Sequence, residues 1–147
     1  MFSKTTEYAL RAVIYIAQES SVNNKLGLNE IAKAIGSPPS FTAKILQRLT
    51  AGDKLVSSLR GPNGGFYLSE KSKTLPVRKI LEAMNEDEVL DKCILGLAKC
   101  SETNPCPMHS KYKTIKEQLV QLFETKTIQH LADDMNKGKV FVNNKRK

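Results

Sequence analysis

The stretch Val56-Ser57-Ser58-Leu59-Arg60-Gly61-Pro62-Asn63-Gly64-Gly65-Phe66 decides the reading of the chain. Short strand-like runs, Leu55–Arg60 and Phe66–Leu68, flank Gly61 to Gly65, whose glycines and proline permit only a turn. The segment is therefore a β-hairpin, and what precedes it gives it a role. Leu28, Ile31, Ala32 and Ile35 fall at helical spacing, and Gly36 stands where a helix end takes a left-handed residue. Ser37 can cap a following helix with Pro38 at its first position; Phe41, Ile45 and Leu49 form its buried stripe, and Gly52 ends it. Ser40, Ala43, Lys44, Gln47 and Arg48 are left on its outer faces. Two short helices joined by a tight turn and followed by a hairpin describe a helix-turn-helix with a wing. The expected fold is mainly α with a small β-hairpin wing.

Outward from this unit, Leu10, Val13, Ile14 and Ala17 mark an amphipathic helix over residues 4–19. Downstream, Thr74 is expected to cap a helix whose apolar face is Val77, Ile80, Leu81 and Met84. From Lys111 to Glu124, Ile115, Leu119, Leu122 and Phe123 mark another amphipathic helix, well beyond what a winged domain needs, and this points to pairing with a second copy. Thr127 caps a final short helix carrying Ile128, Leu131 and Met135. The expected organisation is a winged helix-turn-helix over residues 1–85, a cysteine-containing loop over 86–110, dimerisation helices over 111–136 and a basic tail over 137–147.

The net charge of +8 is unevenly placed. Residues 1–79 hold twelve Lys and Arg against five Asp and Glu; residues 80–147 hold eleven against ten. A basic N-terminal part beside a balanced C-terminal part is the electrostatic footprint of a nucleic-acid-binding domain with a regulatory or assembly region attached. Arg60 at the hairpin tip suits a narrow minor groove, and Gly61 and Gly64 let backbone approach phosphates. With 40% hydrophobic and 26% charged residues, no apolar run of membrane-spanning length and no signal-peptide pattern, a cytoplasmic protein is expected.

All three cysteines fall between Cys93 and Cys106, in the pattern Cys-x6-Cys-x5-Cys-x2-His ending at His109. Three thiolates and an imidazole at this density suit zinc or an iron–sulfur cluster. The Cys-x2-Cys hook of structural zinc sites is absent, and the wider spacing suits an open loop folding over a cluster. A metal-free thiol switch is the alternative, since cysteines near Lys92 and Lys99 can be readily oxidised. An enzyme with Cys106 as nucleophile and His109 as base is disfavoured by the flanking Pro105 and Pro107 and by the lack of a glycine-rich oxyanion loop.

The chain resembles the winged-helix iron–sulfur transcription regulators of bacteria, the family containing the IscR- and NsrR-like repressors. The resemblance covers nearly the whole chain and rests on Glu7-Tyr8-Ala9-Leu10-Arg11-Ala12, Leu28-Asn29-Glu30-Ile31-Ala32, the wing, and the three-cysteine loop after it. It implies a homodimer paired through the long C-terminal helix, bound to double-stranded DNA at a two-fold operator and controlled by a cluster. It implies Cys93, Cys100 and Cys106 as cluster ligands. For the fourth ligand it offers His109, as in IscR-like members, or Glu7 from the partner subunit, as in NsrR-like members. A histidine favours [2Fe–2S], a carboxylate [4Fe–4S], and the proximity of His109 in sequence leans toward the former. The resemblance places Ser37, Ser40, Lys44, Arg60 and Asn63 at the DNA. Ala43 departs from an acidic residue that helps set base preference in some members, so no operator sequence carries over.

Overall fold

The computed structural model describes residues 1–137 and residue 142. The expected basic tail, Lys137 to Lys147, lies outside the described residues except for Lys137 and Val142. The chain forms helices α1 (Lys4–Glu19), α2 (Leu28–Ile35) and α3 (Pro39–Thr50), then strands β1 (Ser57–Leu59) and β2 (Gly65–Tyr67). Helices α4 (Glu70–Lys73) and α5 (Arg78–Ala83), a 3-10 turn (Asp87–Leu90), α6 (His109–Thr125) and α7 (Ile128–Asn136) follow. This is the expected winged helix.

Helix α1 lies at the centre, packed by α2, α3, α5 and α7. Its buried line is Thr6, Ala9, Ala12, Val13, Ile16 and Ala17 rather than the expected Leu10 and Ile14. A helix surrounded on several sides needs small residues where neighbours come closest, so the alanines turn inward and larger residues fill the margins. Around them, Ile31, Ile35, Ile45, Leu46, Leu49, Ile80 and Leu81 are fully buried.

The helix-turn-helix has the expected left-handed stop at Gly36, φ 73°, whose amide donates to Ala32 and Lys33 carbonyls. Helix α3 starts one residue later than expected: Pro38 is its cap and Pro39 its first residue, where the missing amide costs nothing. Ser37 is buried in the turn and does not cap the helix.

In the wing, Ser57 pairs with Tyr67, Ser58 with Phe66 and Leu59 with Gly65. Leu26 forms an antiparallel bridge to β2: its amide donates to Phe66 O at 2.9 Å, and the Phe66 amide donates to Leu26 O at 2.8 Å. Gly65 makes this possible, since a Cβ there would lie 2.7 Å from Leu26 O and its φ is +143°. A Cβ on Gly64 would lie 2.1 Å from Leu59 O, so the tip closes only with glycine. The buried Ser20 hydroxyl accepts from the Leu68 amide at 3.2 Å and fastens the exit of the wing to the end of α1.

The cap expected at Thr74 differs. Thr74 ends the short α4, which Ser69 caps, and does not open α5; the apolar set Val77, Ile80, Leu81 and Met84 is nonetheless buried. Helix α7 also packs into the body of the chain: Ile128 and Ala132 are fully buried in the same core as α1. The Val77 amide donates to Lys126 O at 2.9 Å and the Ile128 amide to Leu75 O at 3.0 Å, pinning the start of α7 beside α5.

Candidate metal centre and DNA-facing surface

The loop between the 3-10 turn and α6 is almost wholly exposed and shaped by its own backbone bonds. Gly96 (φ 75°) donates to Cys93 O at 2.9 Å, and Ser101 and Asn104 exchange backbone bonds at 3.2 Å. The His109 amide donates to Cys106 O at 3.1 Å, so Cys106 and His109 share the turn that opens α6. These folds bring the thiols together. The three cysteines are free, and their sulfurs all lie within 4.8 Å of one another.

Cys93 Sγ is 3.6 Å from Cys106 Sγ, and Cys100 Sγ is 3.3 Å from His109 Nδ1. Asp91, Ile94, Tyr112, Lys113 and Lys116 complete the walls of a cavity of about 30 Å³ at this point. Backbone amides of Leu97 and Leu95 pointing at its sulfur lower the Cys93 thiol pKa to about 7, and the Cys106 and Cys100 thiols add to the shift. At Cys100 the Cys106 amide pulls downward, but burial and the two neighbouring thiols outweigh it, and the pKa is raised. Three soft sulfurs and an imidazole in one place fit a thiophilic metal ion or an iron–sulfur cluster.

Glu7 stands apart from this group. It lies in the first turn of α1, half-exposed, 4.0 Å from Lys4 Nζ, and within one chain it is not among the converging ligand atoms. Residues that no periodicity singled out surround the site instead. Glu102 Oε1 contacts Lys113 Nζ at 2.5 Å and His109 Nε2 at 3.4 Å. Hydrogen bonds from Lys113 and then His109 hold the Glu102 carboxyl below its ordinary range, and the same contact raises Lys113. Arg78 of α5 donates to Glu124 of α6 at 2.9 Å and to Asp91 at 3.3 Å, joining the winged body, the cysteine loop and α6.

Ser40 and Lys44 are exposed on α3, and Arg60 and Asn63 are exposed on the wing. Ser37 is only 8% exposed, its hydroxyl 3.4 Å from Pro38 O, so it shapes the turn that presents α3. No described helix is long and apolar enough to cross a membrane.

A helix-turn-helix with a wing, carrying a thiol centre between its winged body and a long helix, defines a DNA-binding regulator of the winged-helix class. The chain belongs to the Rrf2 family, whose model, described as an iron-dependent transcriptional regulator, matches residues 2–134. It is thus a transcriptional regulator and not an enzyme. It is 34% identical over 135 residues to a protein of Aquifex aeolicus described as an HTH-type transcriptional regulator, covering 90% of this chain and 92% of that one. Its fold is similar to CymR, the global cysteine regulator of B. subtilis (TM-score 0.72, 17% identity, 91% of this chain and 97% of that one). It is also similar to IscR of T. potens (TM-score 0.69, 18% identity, 95% and 91%).

Proposed function

We propose that this regulator acts as a homodimer on a two-fold operator in double-stranded DNA and that an iron–sulfur cluster controls it. The observation that carries this reading is the convergence of the Cys93, Cys100 and Cys106 sulfurs within 4.8 Å, with His109 Nδ1 3.3 Å from Cys100. Cys93, Cys100 and Cys106 would hold the cluster. His109 is the better fourth donor, because Glu7 would have to come from the partner subunit, and a histidine donor favours [2Fe–2S] over [4Fe–4S]. Such a cluster supplies reversible electron transfer and sensitivity to oxidants and nitric oxide.

The protein's part is to pass the shape of the loop to the DNA-binding surface. Asp91, two residues before Cys93, is held by Arg78, which also holds Glu124 of α6. Glu86, at the other end of the same segment, is bonded to Ser3 and Thr6 at the start of α1. A loop that changes shape therefore pulls on α6 and α1 together, and re-aims two α3 helices against half-sites ~34 Å apart. Lys44 and Ser40 meet the major groove, Arg60 and Asn63 the flanking minor groove and backbone, and Ser37 sets the angle of α3.

The test is the visible absorption of protein purified without oxygen, with iron and acid-labile sulfide assayed on the same sample. Charge-transfer bands with matching iron and sulfide are expected, together with a DNA affinity that changes when the cluster is removed. A second reading is a zinc-bound or thiol-switched regulator, since one distance suits a single tetrahedral metal ion as well as it suits a cluster iron. The Cys93–Cys106 separation of 3.6 Å is close to the ~3.8 Å edge of a tetrahedron with metal–sulfur bonds of about 2.3 Å. A colourless protein that contains zinc, or no metal, and cannot be reconstituted would establish that reading in place of the first.

A further inference from the structure

Glu102 lies in an exposed turn, where a carboxylate is ordinarily just solvated. Here one oxygen, Oε1, meets both Lys113 Nζ at 2.5 Å and His109 Nε2 at 3.4 Å. His109 and Lys113 are four residues apart on α6, so a single helix face offers both to that oxygen. A carboxylate can only accept hydrogen bonds, and the adjacent ammonium keeps Glu102 in that form. The contact with Nε2 is favourable only when the ring hydrogen is on Nε2. A neutral imidazole then carries a bare lone pair on Nδ1, and Nδ1 is the atom 3.3 Å from Cys100 Sγ. The opposite tautomer would set a lone pair against the carboxylate and a hydrogen where a ligand lone pair is needed.

We propose that Glu102 is a positioning residue for the metal centre: it accepts the Nε2 hydrogen of His109, fixes the ring, and so aims Nδ1 at the sulfurs. Lys113 holds the carboxylate in place. The inference rests on the reading of His109 as the fourth donor, and it supplies a physical reason for that choice over Glu7. An outer carboxylate of this kind both orients a ligating imidazole and makes it a stronger donor.

The experiment uses the reduced, metal-free full chain near pH ~8, where an unperturbed imidazole is neutral. Long-range proton–nitrogen NMR correlations report the tautomer of each ring. His130 serves as the internal reference, because its Nδ1 accepts from the Thr127 amide at 3.1 Å and its hydrogen must be on Nε2. Co²⁺ binding, read from thiolate-to-cobalt absorption, gives metal affinity on the same samples. Wild type and Glu102→Gln, whose amide oxygen still accepts, should show His109 as the Nε2–H form and bind Co²⁺ comparably. Glu102→Ala should lose that preference and bind Co²⁺ about 10-fold more weakly. An Nδ1–H ring in wild type overturns the proposal, as does a Glu102→Ala variant with wild-type cobalt affinity. A wild type that takes up no cobalt at all overturns the donor set itself, and the function reading falls with it.

Discussion

Glu86 accepts from the Ser3 amide at 3.2 Å and the Thr6 hydroxyl at 2.6 Å, and so places a carboxylate at the start of α1, where the helix dipole also favours negative charge. The bonds from Ser3 and then Thr6 hold its pKa below the ordinary 4.5 against the opposing effect of burial. A carboxyl whose pKa is lower in the folded state contributes stability that is full above 4.5 and is lost as pH falls through the lower, folded value. We expect Glu86→Gln to cost about 0.5–1 kcal/mol at neutral pH after solvent screening. The difference from wild type in urea denaturation should shrink toward zero in acid. A difference that persists unchanged in acid would mean that packing, not charge, is what the carboxylate supplies.

At the scale of elements, α6 has two apolar aspects. Phe123 is buried and meets Phe2 edge-on at 5.7 Å between ring centres, whereas Ile115 and Leu122 are 58% and 51% exposed. These two are seven residues apart, two turns on one face, with the half-buried Leu119 between them, and the proposed homodimer would use this face as its seam. Replacing Ile115 and Leu122 together by Glu should leave the circular dichroism unchanged and convert the protein to monomers in sedimentation. A dimer that survives this change would place the interface elsewhere. For α3 and the wing, the expected outcomes differ by groove. Lys44→Ala should weaken binding on all probes and lower the salt slope by about one. Arg60→Ala should lose affinity chiefly on operators with A·T-rich flanks. Equal losses from Arg60→Ala on A·T-rich and G·C-rich flanks, measured by fluorescence anisotropy, would count against a minor-groove role.

Across the whole molecule, the end of the chain returns to its beginning. Ile128 and Ala132 of α7 are buried against α1, so the winged body is not complete until residue 132. Ile128→Ala should therefore cost about 2–5 kcal/mol, read as a lower urea midpoint for the entire fold rather than as loss of a separate helix. A variant with an unchanged midpoint would show α7 to be peripheral. Arg78 works at the same scale, since its partners lie on α6 and on the approach to Cys93, and its cost as an isolated surface ion would be small.

The helix-turn-helix and wing, the stop at Gly36, the cap at Thr127 and the grouping of three cysteines with His109 are all legible in the order of residues. Each of these depends on residues a few positions apart, where helical period, turn chemistry and ligand spacing leave a readable pattern. The rest arises from packing. Ser3 and Glu86 are 83 positions apart, Ser20 and Leu68 are 48 apart, and no period links them. The inward alanines of α1, the bridge from Leu26 to β2 and the docking of α7 follow from how closely neighbouring elements approach, and that spacing exists only after they pack. Glu102 lies nearer to His109 in sequence, but an irregular loop carries no periodicity, so its contact with the ring depends on the fold of the turn between them.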